Sequence, residues 1–353
     1  MHHDNTNHTP QCVPQAVLEL EAGSRAEEWH QHPLGGGWVY RGARVAPTAF
    51  VAPNAAVFGK AQVLDYAQVL DHARVVGEAC VRDHARIGGH AVVEERAEAR
   101  DHAVIEGKAR VAGTACVSER ARVEGRAVIE GTARVGGNAR IAGRACVAER
   151  ARVEGRAEVS GGARVVGGAK VLDRARIADR AWIGQDAEVS GDAKVFGAAV
   201  VTDYARVLDH ARVAGHAHVA VSAVIAGRAR VAGFAEVSGD AWVAGRAEVQ
   251  DAAWIGGNAV VTEAARVFGR AKVYGSAVIA GRASVCGAAE VLDNARIAED
   301  SVVAGTAEVC GHARVFGRAM AYGDAWIAGD TVVCGTERVC RRPVWADSRI
   351  EPA

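Results

Sequence analysis

From Ala43 onward the chain repeats a six-residue unit, Ala-x-Val-x-Gly-x, 49 times without an insertion or deletion. Position one is Ala in 47 units; Ser301 and Thr331 are the exceptions. Position three is Val or Ile in 47, with Ala99 and Ala321 as exceptions, and position five is Gly, Asp or Glu in 45. Six is not a helical period. Ala and Val stand two apart with a mostly polar residue between them, the alternation of a short strand with one face in and one out. Position five then supplies a turn. Each hexad is therefore a strand and a corner. Three corners close a triangle, so one coil takes 18 residues and coils stack about 4.8 Å apart. The expected fold is all-β, a single-stranded parallel β-helix: a triangular β-solenoid of about 16 coils with no interrupting loop. Ala is a poor strand former. Its near-invariance at position one fits a narrow corner that a larger side chain would not enter.

The phase reaches back to Gly37-Trp38-Val39 and forward to Glu337-Arg338-Val339, and Pro343 ends it. The expected organisation is an N-terminal cap over 1–36, the solenoid over 37–342 and a C-terminal cap over 343–353. Caps of this kind cover strand edges that would otherwise template aggregation. Lys+Arg and Asp+Glu balance at 42 each, so the whole chain is neither a basic nucleic-acid binder nor an acidic tail. No run of 18 apolar residues occurs, which speaks against a membrane span. The first twenty residues lack a basic end followed by an apolar run. The expected setting is the cytoplasm.

Gly35-Gly36-Gly37-Trp38-Val39, followed by units such as Ala193-Lys-Val-Phe-Gly and Ala271-Lys-Val-Tyr-Gly, resembles the YdcK-like hexapeptide-repeat proteins over roughly residues 35–340. These are related to the hexapeptide acyltransferases. Val123 followed four places later by Ala127 shows the aliphatic-to-small spacing of that repeat. The resemblance implies a left-handed β-helix; a right-handed β-solenoid is the alternative, because Gly or Asp falls here one place later than usual. It also implies an acyl-CoA-dependent acyltransferase, with acetyl-CoA or another acyl-CoA as donor and a site between subunits. No catalytic residue transfers with it. Such enzymes seat a general-base His in a cleft and interrupt their coils with a loop; this repeat has no such loop.

The candidate catalytic residues are histidines. His84 and His102 lie 18 apart and so stack on one corner, with Tyr66 one coil before them; His72 and His90 stack on the next corner. Two readings fit: a general base or metal pair, or a solvated corner position that also accepts Arg, Asp, Asn and Thr. Hexapeptide carbonic anhydrases resemble this fold and bind zinc through His, two of them five residues apart. No His pair within the repeat has that spacing, so no metal is expected. The eight cysteines do not form a disulfide framework: Cys80 and Cys116 are two coils apart, Cys286, Cys310 and Cys334 fall on three sides, and Cys12 and Cys340 lie at opposite ends.

Position two faces solvent. Sorted by every third hexad, one side carries Arg86, Arg122, Arg140, Arg176, Lys194, Arg212, Arg230, Arg266 and Arg338. Arg122, Arg140, Arg176, Lys194, Arg212 and Arg230 form the candidate stripe for a polyanion. The competing reading is a solvated face whose Arg stems cover apolar surface, with no aromatic platform interleaved. Another side carries Trp182, Trp254 and Trp326, with Trp38, and suggests a self-association face in a homotrimer or dimer.

The sequence Glu-Arg-Ala-Arg-Val-Glu-Gly-Arg-Ala occurs at Glu119–Ala127 and again at Glu149–Ala157. Thirty residues is not a whole number of coils, so identical local sequence lands on different sides. The near-copies at 64–77 and 202–215 are displaced in the same way. A catalytic site needs particular residues held on particular faces; a brick does not. The expected function is a non-catalytic rigid solenoid, a scaffold or binding surface, with the acyltransferase as the alternative.

Overall fold

The computed structural model describes residues 13–340, 343–344 and 349–350. The chain divides into two compact units, residues 1–138 and 139–353. Both are built by one rule. Positions two and three of each hexad form a two-residue strand, and positions five and six form the turn. Each strand pairs in parallel with the strand 18 residues on, as Arg86 with Val104 in the first unit and Arg176 with Lys194 in the second. Every third hexad therefore shares a sheet. Each unit is a three-sided parallel β-solenoid with an 18-residue coil.

The sides are numbered by sequence phase. Face 1 holds the Ala56–Arg74 pair in the first unit and Trp182–Val200 in the second. Face 2 holds Cys80–Glu98 and Trp242–Val260. Face 3 holds Arg86–Val104 and Lys194–Arg212.

Positions two, four and six donate their N–H groups to the next coil: Arg74 to the Ala91 carbonyl at 2.9 Å, Val76 to Val93 at 2.9 Å and Glu78 to Glu95 at 2.6 Å. Coil stacking thus satisfies backbone groups that a lone coil would leave open. Positions one and three point inward and are almost all fully buried. The two exceptions to alanine at position one keep their hydroxyls satisfied. Ser301 Oγ donates to the carbonyl of Ala298 at 2.6 Å or of Val315 at 3.1 Å, and Thr331 Oγ1 to Ala328 at 2.7 Å.

The corners explain position five. Its φ is positive in every unit from Gly59 to Gly335. Glycine adopts that region freely. At Gly77 a Cβ would also stand 3.0 Å from the Glu95 nitrogen of the next coil. The other residues tolerated there, mostly Asp and Glu, sit at φ between 53° and 63°, below most of the glycines.

In the first unit, Trp29–Gln31 pairs antiparallel with Trp38–Tyr40, which in turn pairs in parallel with Ala56–Val57. Trp29, Trp38, Ala56 and Phe58 form a buried cluster outside face 1, packed by Val17, Leu18 and Leu20 from the preceding segment. The Gly35-Gly36-Gly37 run lies against the first coil: Gly37 N–H donates to the Val51 carbonyl at 2.9 Å, and a Cβ on Gly37 would meet Val51 Cγ1 at 2.3 Å. At the other end Pro343–Val344 and Arg349–Ile350 still pair in parallel, with Trp326–Ile327 and Val332–Val333.

Candidate functional site

Asp, Glu and Gln at position five form a ladder along the corners. Asp65 accepts the N–H of Asp83 at 3.2 Å, Asp83 that of Asp101 at 3.1 Å, and Asp101 that of Glu119 at 3.0 Å. Asp209 likewise accepts from Gly227 at 2.9 Å. These carboxylates are committed to the backbone of the next coil. Sequence reading took position five only as a turn former; the bond depends on side-chain reach across 18 residues, which the period alone does not show.

The four candidate histidines stand on exposed corners of the first unit. Tyr66, His84 and His102 are stacked, with ring centroids 5.4 and 5.1 Å apart, and His72 and His90 stack at 4.9 Å. The carboxylates beside the first ladder, Asp65, Asp83 and Asp101, are the ones held by backbone N–H groups. Neither the groove at Arg156–Arg212 nor the one at Gly77–Thr132 is lined by any of the four. Among the described residues no group of three or more His, Cys, Asp or Glu could hold a metal ion.

Face 2 of the first unit carries a network that the sequence did not suggest. Glu98 sits in register between Cys80 and Cys116. It accepts from Arg82 Nε at 2.8 Å, and Arg82 Nη1 also reaches Asp83 at 3.3 Å. Burial pushes the Cys80 thiol up, and the charge of Glu98 adds to it. Burial does the same to Cys286 and is the largest cause at Cys310. Raised thiols are poor nucleophiles. The described cysteines are free of disulfides; Cys12 lies outside the described residues.

The cationic stripe is where geometry and charge converge. In the second unit Arg176, Lys194, Arg212 and Arg230 are consecutive in register on face 3. Beside them runs a groove of about 570 Å³, lined by Glu158, Arg176, Lys194 and Arg212 from the face and by Arg156, Arg174, Asp192 and His210 from the corner. Arg174 Nη2 is 2.8 Å from Asp192, and His210 Nδ1 is 3.7 Å from the same carboxylate oxygen. Glu158 holds Arg176 at 3.4 Å, and Glu248 lies between Arg230 at 3.8 Å and Arg266 at 3.6 Å. The acids thus sit at the ends of the run. Among the described residues Lys194 and Arg212, in its middle, have no carboxylate within ion-pair reach. Of the other candidates, Arg140 belongs to the second unit and Arg122 to the first.

One expectation is corrected here. The stripe does carry aromatic rings: Phe196 and Phe268 stand at position four of face 3, two residues after Lys194 and Arg266, and are 38% and 37% exposed. Sorting position two alone hid them.

On face 1, Trp182 and Trp326 are exposed while Trp254 is half-buried. Trp254 Nε1 donates to Ser238 Oγ at 3.3 Å, and its ring lies 5.6 Å from that of Tyr274. A Cβ on Gly256 would come within 2.8 Å of Trp254 Cζ2. The indole therefore lies along its own strand, over the glycine at position four. Trp242, on face 2, sits in a longer apolar strip, in register with Val224, Val260 and, one coil further, Val278.

Fold and surface together define a three-sided β-solenoid of six-residue units with a cationic face in its second unit. No family model matches the chain, and no curated protein sequence does. Among solved structures the chain is similar to a UDP-N-acetylglucosamine acyltransferase from Campylobacter jejuni, at 17% identity and a TM-score of 0.28, covering 54% of this chain and 68% of that one. A likeness of that size carries no argument about activity. Among the described residues no helix is long and apolar enough to cross a membrane.

Proposed function

We propose that this chain is a non-catalytic solenoid whose working surface is face 3 of the second unit, and that this face binds a polyanion. The observation that carries the reading is the run Arg176–Lys194–Arg212–Arg230. Like charges directly opposite each other destabilise a sheet pair. Elsewhere the chain interrupts such runs: Glu158 follows Arg140, and Glu248 separates Arg230 from Arg266. Cation pairs such as Arg152–Lys170 and Arg296–Arg314 occur, but among the described residues four in succession occur only here. A ligand that brings negative charge turns this repulsion into binding energy.

Heparin chromatography of the full chain tests it. The Lys194→Glu/Arg212→Glu variant is expected to elute at markedly lower salt. Arg296→Glu/Arg314→Glu, with the same change in net charge, is expected to elute close to wild type. Equal shifts in both would contradict a dedicated face.

The acyltransferase implied by the YdcK-like resemblance requires a His base in a cleft. The support for it is weaker, because His72, His84, His90 and His102 stand on open corners. A thermal shift of several degrees with acetyl-CoA would favour it over the binding surface.

Self-association belongs to the same reading. We place it on face 2 of the second unit rather than at Trp182, Trp254 and Trp326 of face 1, because Val224, Trp242, Val260 and Val278 follow one another in register while Trp254 is half-buried. A two-fold axis along the stacking direction lays position two of each coil over position four of a second copy. Val224, Val260 and Val278 then oppose Ala226, Thr262 and Ala280, and Arg246 of one copy comes beside Asp240 of the other. Light-scattering mass tests this: Trp242→Glu is expected to shift the protein toward monomer, and an unchanged mass contradicts the placement.

A further inference from the structure

Face 3 of the second unit carries more than charge. Val195 and Val267 behind it are fully buried, while Phe196 and Phe268 keep more than a third of their surface in solvent. A phenyl ring left partly open forgoes some of the burial that most phenylalanines gain. Both rings stand two residues after a cation on the same face, and position four between them holds Ala214, Ala232 and Gln250, which leaves the surface between the rings low. The two phenylalanines are four coils apart, about 19 Å along the stacking direction. Between them Lys194, Arg212, Arg230, Glu248 and Arg266 follow in register.

We propose that this face binds single-stranded nucleic acid. Phe196 and Phe268 stack bases, and Arg176, Lys194, Arg212 and Arg230 contact phosphates. The inference rests on the polyanion reading and narrows it. Single strands are held by a cationic track beside aromatic rings, because unpaired bases offer their flat faces. A duplex keeps those faces inside and can use only the cations. An acidic glycan likewise needs the charges and not the rings. A strand drawn out to roughly twice its duplex rise of 3.4 Å spans the distance between the rings with about three nucleotides. The middle of the run, where Lys194 and Arg212 lack carboxylate partners, is where phosphate displaces the least internal pairing.

Fluorescence anisotropy on the full chain separates this inference from the reading beneath it. The probes are a labelled oligothymidylate of about 15 nucleotides, a labelled duplex of the same length, and labelled heparin. Phe196→Ala/Phe268→Ala keeps every charge. It is expected to weaken oligothymidylate binding about tenfold or more and to leave duplex and heparin binding nearly unchanged. Phe196→Leu/Phe268→Leu, which keeps the apolar packing, is expected to show the same loss. Lys194→Glu/Arg212→Glu is expected to weaken all three. If the phenylalanine variants bind oligothymidylate like wild type, or if duplex binds as tightly as single strand, the single-strand assignment fails and the polyanion reading stands. If none of the three probes binds, both fail.

Discussion

Asp83 Oδ2 accepts the backbone N–H of Asp101, 18 residues on, at 3.1 Å. The bond joins one coil to the next at a corner where φ is 62° at Asp83 and 60° at Asp101. It accounts for the substitution pattern at position five: Gly fits by its freedom, and Asp or Glu offsets the strain of the left-handed region with a hydrogen bond.

The same relationship orders substitutions at Asp209, which bonds Gly227 and has φ 60°. Asp209→Ala loses the bond and keeps the strain that Asp209 already bears, and is expected to cost about 1 kcal/mol. Asp209→Gly loses the bond but sheds the strain, and is expected to be close to neutral. Urea midpoints check the ranking, and alanine outperforming glycine would refute this account of the corner.

Val221 occupies position five with φ 63°, an unfavourable place for a β-branched residue. Its N–H still bonds Asp203 at 3.0 Å. Val221→Gly is expected to raise the melting temperature and to stabilise by about 1 kcal/mol, after the entropy of the added glycine is subtracted. Calorimetry decides the sign.

Position one admits a hydroxyl more readily than bulk. For Ala265→Ser, the carbonyls of Thr262 and Ile279 occupy the places that Ala298 and Val315 take around Ser301. The change is expected to be close to neutral. Ala229→Leu overfills a fully buried corner and is expected to destabilise by about 1–3 kcal/mol. Denaturant titration of both variants checks the contrast.

Glu290 gives the pH dependence a definite sign. Lys272 Nζ bonds it at 2.8 Å and the Tyr274 hydroxyl at 3.2 Å, and the Lys272 bond is the main cause that holds its carboxyl below the ordinary value. A depressed folded-state pKa contributes stability above the unfolded pKa and loses it as pH falls through the folded one. Melting temperature is expected to fall less steeply in Glu290→Gln than in wild type as pH drops below the usual glutamate range. Parallel slopes would contradict the linkage.

The period of six was enough to read the strands, the coil length and the alternation at positions one and three, because burial repeats with the sequence. The His84–His102 and His72–His90 stacks were legible for the same reason: residues 18 apart are neighbours. Other features depend on side-chain direction rather than phase. The Asp65–Asp83–Asp101 ladder needs the positive φ that turns each carboxylate toward the next coil. Trp254 reads as an interface residue by phase, yet it lies over Gly256. Phe196 and Phe268 do not show in the alternation of the strand, because position four lies just past it.

The central claim is that Arg176, Lys194, Arg212 and Arg230 act together on a polyanion. The most direct measurement is the salt dependence of binding to a labelled single-stranded oligonucleotide. The four cations span about 14 Å, which an extended strand meets with about three phosphates, and at about 0.7 each these give an expected slope of log K against log salt near −2. Lys194→Glu/Arg212→Glu is expected to bring that slope to about −1 or to abolish binding. A wild-type slope near zero, or one that the double reversal leaves unchanged, would contradict the claim.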